Sequence, residues 1–181
     1  MKHIAILAGT LFALQAAAQD LPMPSPHAEV EQTIGLTEVE VTYSRPSARD
    51  RKVFGDLVPF DQLWRTGANK CTTVETDGPI VFGGTEVPAG TYSLFTVPGA
   101  EAWELVLNTS TELWGTDDYN AEQDVARGKV PVAKNEWTET FTISFDEVKD
   151  DKARMDLRWA DVRVSVWIEA NSREKAMANI Q

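Results

Sequence analysis

Apolar and polar residues alternate along most of the chain after residue 37, the pattern of strands with one face on a core and the other in water. The segment Glu38–Tyr43 shows it plainly, with Val39, Val41 and Tyr43 on one face. The same alternation predicts six further strands: Lys70–Thr76, Gly90–Val97, Trp103–Leu107, Thr138–Val148, Ala153–Trp159 and Val162–Glu169. Turn-forming residues separate many of these runs, at Gly83-Gly84, Pro88–Gly90 and Pro98-Gly99. Short strands divided by such turns favour an antiparallel sheet over a βαβ fold.

The runs Arg154–Trp159 and Val162–Val166 are predicted to pair as a hairpin. Their apolar side chains are expected to point inward: Met155, Leu157, Trp159, Val162, Val164 and Val166. Arg154, Arg158 and Arg163 then fall on the solvent face, so we do not take them as site residues.

A short helix is predicted over 172–180, because Asn171 and Glu174 have the spacing of a capping box. The predicted fold class is therefore all-β, an antiparallel β-sandwich or jelly-roll-like domain with a short C-terminal helix. More than 160 residues follow the N-terminal segment, which is enough to bury a self-sufficient core in one domain.

The N-terminus has the pattern of a secretory signal peptide. Lys2 and His3 precede a short apolar stretch, and Ala16–Ala18 supplies the small residues of a cleavage site. The apolar stretch is shorter than the roughly 20 residues of a membrane span, so no membrane insertion is expected. We predict a signal peptide over 1–18, a proline-rich lead-in over 19–26 and a single domain over 27–181. The expected location is periplasmic or secreted.

The charge of the chain limits its partners. It has 17 Lys and Arg against 28 Asp and Glu, a formal net charge of −11. Nucleic acids and anionic lipids bind broad basic surfaces, so this balance argues against both. The single cysteine, Cys71, excludes an internal disulfide.

Few residues are suited to known chemistries. His27 follows the proline-rich segment, so a His-based metal site or a Ser-His-Asp relay has little support. Cys71 lies in a strand-like run and is expected to be a small buried residue. The acidic loop 117–124 departs from the calcium-binding EF-hand loop at its glycine and closing Glu positions, which leaves a looser calcium site or a solvated loop as alternatives. We predict no metal and no cofactor.

The segment between Arg45 and Lys70 differs from the acidic remainder. Its six basic residues outnumber three acidic ones, and Gly55, Gly67 and several aromatic residues lie among them. Guanidinium groups bind carboxylates or phosphates bidentately, and tryptophan offers a stacking face. The candidate ligand-binding residues are Tyr43, Arg45, Arg51, Trp64, Arg65 and Asn69. The alternative is that the arginines are structural and tie a long loop to the sheet through carbonyls and acids.

These motifs resemble an uncharacterised bacterial family, the domain of unknown function number 2911, which is frequent among exported proteins. The resemblance rests on Tyr43–Pro46, Arg51, Phe54–Pro59, Trp64–Asn69, Pro88–Pro98, Trp103–Asn108 and Trp114-Gly115. It extends over about Ser25 to Glu169. The resemblance implies one exported domain and implies no mechanism.

The sequence thus predicts non-catalytic binding of a small anionic or polar ligand through an arginine and aromatic cleft. One alternative is an envelope glycan hydrolase that uses carboxylates as acid and base, with the arginines holding substrate. Another is a structural envelope protein that recognises a partner protein through a sheet edge. The geometry of the arginines separates these alternatives.

Overall fold

A computed structural model describes residues 22–178 of the chain. The predicted signal peptide and residues 179–181 lie outside the described residues. The strands are β1 (His27–Ile34), β2 (Thr37–Ser44), β3 (Thr72–Thr76), β4 (Ile80–Phe82), β5 (Thr85–Val87), β6 (Gly90–Val97), β7 (Ala102–Asn108), β8 (Asp124–Lys149) and β9 (Lys152–Ala170). A 3₁₀ turn spans Ala121–Gln123, and α1 spans Ser172–Ala178.

The strands form one antiparallel sheet in the order β1-β2-β3-β6-β7-β8-β9-β4-β5. The long strand β8 belongs to both parts of the sheet. Its first residues pair with β7 on one side of the core, and its later residues pair with β9 on the other side. The predicted all-β antiparallel fold and C-terminal helix are confirmed.

The larger of two hydrophobic clusters lies between the two parts of the sheet, and the smaller one contains Cys71, Phe95 and Val106. Val41, Leu94 and Leu105 come from one part, and Leu157 and Val164 come from β9 in the other. Six aromatic side chains meet in this core: Tyr43, Phe54, Trp64, Trp103, Phe141 and Trp159. The sheet therefore encloses its core as a sandwich does.

The predicted hairpin between Arg154 and Val166 is wrong. Both runs belong to the single strand β9, and β8 is its partner on that side. Ala160, which we interpreted as part of a turn, has a left-handed φ of +52° and lies where the β8–β9 register shifts. A β-bulge and a short turn both interrupt the alternation of a strand, which is why the pattern misled us. The expected inward side chains are still the correct ones, because all six are in the core or packed against it.

The proline-rich lead-in is fastened to the domain over its described part. The Pro24 carbonyl accepts a hydrogen bond from Arg49 Nη2 at 2.8 Å, and the Pro26 carbonyl accepts one from the Arg45 amide at 2.8 Å. At the other end, Lys175 of α1 pairs with Asp77 at 2.9 Å. No helix within residues 22–178 is long and apolar enough to cross a membrane.

Candidate functional site

The segment after β2 docks onto the middle of β8, where β8 leaves its regular pairing with β9. The Ala48 amide donates to the Glu139 carbonyl at 2.8 Å, and the Phe141 amide donates to the Pro46 carbonyl at 2.8 Å. The Ser47 and Thr140 hydroxyls lie 2.9 Å apart. These bonds supply strand-like pairing at the interruption of the ladder, since buried backbone groups need partners.

Arg45 and Arg51 donate to this docked segment and to its partner strand. Arg45 Nε donates to the Phe141 carbonyl at 3.0 Å, and its Nη2 donates to Thr142 Oγ1 at 2.7 Å. Arg51 donates from Nε to the Ala48 carbonyl at 2.9 Å and from Nη2 to the Ser47 carbonyl at 2.8 Å. For these two arginines, the contacts are those of the structural alternative, with carbonyls as the main partners.

Tyr43 and Asn69 also bond within the protein. The Tyr43 hydroxyl donates to the Ile143 carbonyl at 3.3 Å and accepts from the Ile143 amide at 3.0 Å. Asn69 Nδ2 lies 3.2 Å from the Ser25 carbonyl and 3.2 Å from Ser44 Oγ. Asn69 therefore holds the lead-in to the end of β2.

Trp64 packs into the aromatic core. Its ring stacks on Trp159 at a centroid distance of 5.9 Å and an interplanar angle of 20°, and Phe54, Trp103 and Phe141 meet it edge-on. Its Nε1 donates to the Gly67 carbonyl at 3.0 Å. The ring face that the sequence suggested for a ligand is in contact with core side chains.

Arg65 is the exception among the six candidates. Its Nε is buried, and no group within the described part of the chain accepts a hydrogen bond from it. The structure thus brings Tyr43, Arg45 and Asn69 to one end of β2, while Arg65 follows the Trp64–Thr96 bridge. A ligand role for any of the six stays a prediction.

An open groove of about 380 Å³ lies beside this region, and we call it the aromatic groove. Its walls come from the loop after the docked segment, from β8 and from the bulge in β9. The lining residues are Lys52, Val53, Phe54, Phe60, Trp137, Ala160, Asp161 and Val162. Trp137 and Phe60 are 59% and 38% exposed, so two large aromatic side chains are accessible in the groove.

The loop that carries Lys52 and Phe60 is closed by its own backbone. The Gly55 amide donates to the Val58 carbonyl at 2.9 Å, and the Val58 amide donates to the Val53 carbonyl at 2.8 Å. Gly55 has a left-handed φ of +84°, and a Cβ there would lie 2.7 Å from Phe60 Cε2. Glycine therefore allows the turn and also lets the Phe60 ring lie on the backbone.

Trp137 projects from a stretch of β8 that is out of register with β9. Three β8 residues separate the pairs Lys134↔Val162 and Thr138↔Ala160, where β9 has the single residue Asp161 between them. Trp137 Nε1 donates to Glu139 Oε2 at 3.3 Å, and Glu139 Oε1 accepts from the Arg49 amide at 2.7 Å. Glu139 therefore links one wall of the groove to the arginine-containing loop.

Two opposite charges line the aromatic groove. Lys52 and Asp161 are both exposed, and within residues 22–178 neither side chain has an ion-pair partner. Asp161 follows Ala160 directly at the register shift between β8 and β9. The groove therefore offers an ammonium group, a carboxylate and two aromatic faces to one small molecule.

The acidic loop 117–124 is closed by a hydrogen-bond network. Asp124 accepts from the Tyr119 hydroxyl at 2.8 and 2.7 Å, from Arg127 Nε at 2.9 Å and from Asn108 Nδ2 at 2.8 Å. Burial and then the Asp124 carboxylate raise the pKa of Tyr119 to about 12. Within the described ranges, no three His, Cys, Asp or Glu side chains are arranged to hold a metal ion. Cys71 is buried, with its Sγ 3.1 Å from Ser93 Oγ.

Sequence reasoning did not identify the groove. Lys52 counted only toward the charge of its segment, and Phe60, Trp137 and Asp161 were not candidates. No local motif joins positions 52 and 60 to positions 137 and 161. Gly55 was noted only as a glycine of the basic segment, and its contact with Phe60 depends on the fold.

Comparisons with known proteins give one result. No curated protein and no solved structure matches the chain. Residues 25–168 match a family described as "Protein of unknown function (DUF2911)". Since the match extends over most of the chain, the protein belongs to this family of unknown function.

Proposed function

We propose that this protein is an exported, non-catalytic binding protein that holds a small polar or anionic ligand in the aromatic groove. One observation carries the proposal: the groove between Phe60 and Trp137 has exposed aromatic walls and is lined by Lys52, which has no ion-pair partner within residues 22–178. A volume of about 380 Å³ is within the range of small-molecule sites.

The groove replaces the arginine cleft as the proposed binding site. Arg45 and Arg51 each use two of their five N–H donors on oxygens of the protein, so fewer donors are left for a ligand. Lys52 forms no ion pair with any of residues 22–178, so its ammonium group keeps its three donors for a ligand.

The hydrolase alternative receives less support from the same geometry. Glycoside hydrolysis ordinarily uses two carboxyl groups on opposite sides of the scissile bond. The lining of the aromatic groove includes one carboxylate, that of Asp161. The internally bonded Arg45 and Arg51 are compatible with a structural protein as well, so ligand binding at the groove is the test that separates these two.

Export is the second part of the proposal, and it rests on the charged start, the short apolar run and Ala16–Ala18. Expression of the full chain in a Gram-negative host should yield periplasmic protein that begins at Gln19. Intact-mass measurement of the periplasmic and cytosolic fractions checks this. Cytosolic protein that retains residues 1–18 would contradict export.

Binding is tested by thermal shift and fluorescence titration with sugar acids, sugar phosphates, dicarboxylates and amino acids. A ligand at 100 times its Kd should stabilise the protein by about 2.7 kcal/mol, which raises the Tm by several degrees. Trp137→Ala should abolish the shift. Trp114→Ala is the matched control, because Trp114 is 69% exposed and lies outside the groove lining. Equal shifts in the parent protein and Trp137→Ala would rule out the groove as the site.

A further inference from the structure

We propose that the aromatic groove takes a zwitterion, a small molecule that carries a carboxylate and an ammonium group on a flat apolar body, as an aromatic amino acid does. This inference rests on the proposed function and specifies the ligand class of the same site. Three features support it: the opposite charges of Lys52 and Asp161, the aromatic walls of the groove, and the hydrogen-bonded or buried backbone that carries the two charged residues.

The two charges of the groove are opposite, and neither is paired within the described part of the chain. Lys52 and Asp161 line the same groove of about 380 Å³. Neither residue has an N–O contact within 4.0 Å of an opposite charge, either in the other residue or elsewhere in residues 22–178. Because the two residues line one groove and form no ion pair with each other, each is available to the opposite charge of one ligand.

A ligand with a single charge would satisfy only one of these residues. Lys52 and Asp161 are exposed, so the difference between ligands comes from attraction and repulsion across the groove. A simple anion would pair with Lys52 and repel Asp161, and a simple cation would do the reverse. A zwitterion pairs with both residues in one orientation.

The side chains that line the groove favour a ligand whose uncharged part is aromatic. Phe60 and Trp137 present exposed ring faces, and Val53, Phe54 and Val162 add apolar surface. Aromatic rings bind other rings by offset or edge-on contact, with interaction energies of about 0.5–1.5 kcal/mol beyond burial. The ammonium group of the ligand also gains from an aromatic face close by.

Both charged residues stand on backbone that is held in place. The Lys52 carbonyl accepts from the Leu57 amide at 3.2 Å, which ties Lys52 to the closed loop. Asp161 follows Ala160, whose buried side chain and left-handed backbone fix the bulge. Groups presented on fixed backbone lose less freedom when a ligand binds than groups on a free loop.

L-phenylalanine, 3-phenylpropionate and 2-phenylethylamine test the inference, because the last two each lack one charge of the first. Calorimetry on the signal-free chain should give a Kd for L-phenylalanine at least about tenfold lower than for either analogue. Lys52→Met should weaken L-phenylalanine and 3-phenylpropionate by about tenfold and should strengthen 2-phenylethylamine, because the like charge of Lys52 is removed. Asp161→Asn should weaken L-phenylalanine and 2-phenylethylamine by about tenfold and should strengthen 3-phenylpropionate for the same reason.

Lys134→Met and Asp117→Asn are matched controls, because both residues are exposed and lie outside the groove lining. Lys134→Met changes the net charge as Lys52→Met does, and Asp117→Asn changes it as Asp161→Asn does. Each control variant should bind L-phenylalanine with the Kd of the parent. Equal affinity of the parent for all three probes, or loss of binding in the control variants, would overturn the zwitterion inference.

The proposed function can survive that result. If a sugar acid or dicarboxylate binds the parent and Trp137→Ala abolishes that binding, the groove is a site and its ligand is not a zwitterion. If Trp137→Ala alters the binding of no probe, the proposed function and this inference both fail. Circular dichroism of each variant confirms that the fold is retained.

Discussion

Two arginines in one loop, Arg45 and Arg65, have opposite environments, and replacing each by methionine tests how they act. Methionine keeps most of the apolar stem and removes every donor of the guanidinium group. In Arg45→Met, the Phe141 carbonyl and Thr142 Oγ1 lose their donors. In Arg65→Met, no hydrogen bond of Nε is lost, because that atom is buried without an acceptor within residues 22–178.

The expected magnitudes follow from these contacts. Hydrogen bonds from a charged donor contribute about 1.5–3 kcal/mol each to stability. Because Arg45 is partly exposed, water can replace some of this contribution in the variant. Arg45→Met should therefore lower the free energy of unfolding by about 2–3 kcal/mol. A buried donor without a partner costs about 1–3 kcal/mol, so Arg65→Met should be neutral or stabilise the protein by about 1 kcal/mol. The two variants should therefore differ in sign or by at least 2 kcal/mol, as an order of magnitude.

Urea denaturation followed by circular dichroism measures both variants beside the parent. The m-value should stay constant, since the surface exposed on unfolding hardly changes. Arg173→Met, on the exposed face of α1, is the control for loss of one positive charge. A loss below about 0.5 kcal/mol in Arg45→Met would show that its hydrogen bonds are not structural. A loss as large in Arg65→Met as in Arg45→Met would refute the reasoning from burial and pairing.

Two further predictions concern the groove loop and the acidic loop. Gly55→Ala should destabilise the protein by about 1 kcal/mol more than the control Gly84→Ala in urea denaturation. Both glycines have a left-handed φ, but only at Gly55 would the new Cβ overlap Phe60. Equal losses of stability in the two variants would contradict the contact. Tyr119 should ionise near pH 12, about two units above an ordinary tyrosine, in a titration of phenolate absorbance. Because its pKa is raised in the folded state, its contribution to stability is complete below about pH 10 and is lost as the pH rises to about 12. Tyr119→Phe should remove the absorbance step near pH 12, and an unchanged titration curve would refute the assignment.

Much of the fold was predictable because alternation is a local signal. Val39, Val41 and Tyr43 alternate with polar residues, and in the structure these three are buried on one face of β2. Turn residues such as Gly83-Gly84 also act locally, and they do form a turn, although the two short strands that it joins, β4 and β5, were not predicted. The error at Ala160 has the same origin, because a local pattern does not distinguish a bulge within one strand from a turn between two.

The arginine segment shows where sequence reasoning stops. Arg45, Arg51 and Arg65 have the same side chain and similar neighbours in sequence, yet two of them bond to the protein and Nε of the third has no acceptor within the described residues. The acceptor of Arg45 Nε, the Phe141 carbonyl, is 96 positions away. Such partners follow from the docking of the segment after β2 onto β8, which no short pattern encodes.

The sequence by itself determined the class of this protein: an antiparallel β domain, a C-terminal helix and a basic segment within an acidic chain. These properties depend on residue type and on spacing within a few positions, so the chain carries them without reference to its fold. The tertiary structure alone decided which charges are paired and where a groove opens. Lys52 and Asp161 line one groove only because the closed loop 52–60 packs beside the bulge of β9, and contacts of that range form when the chain buries its core.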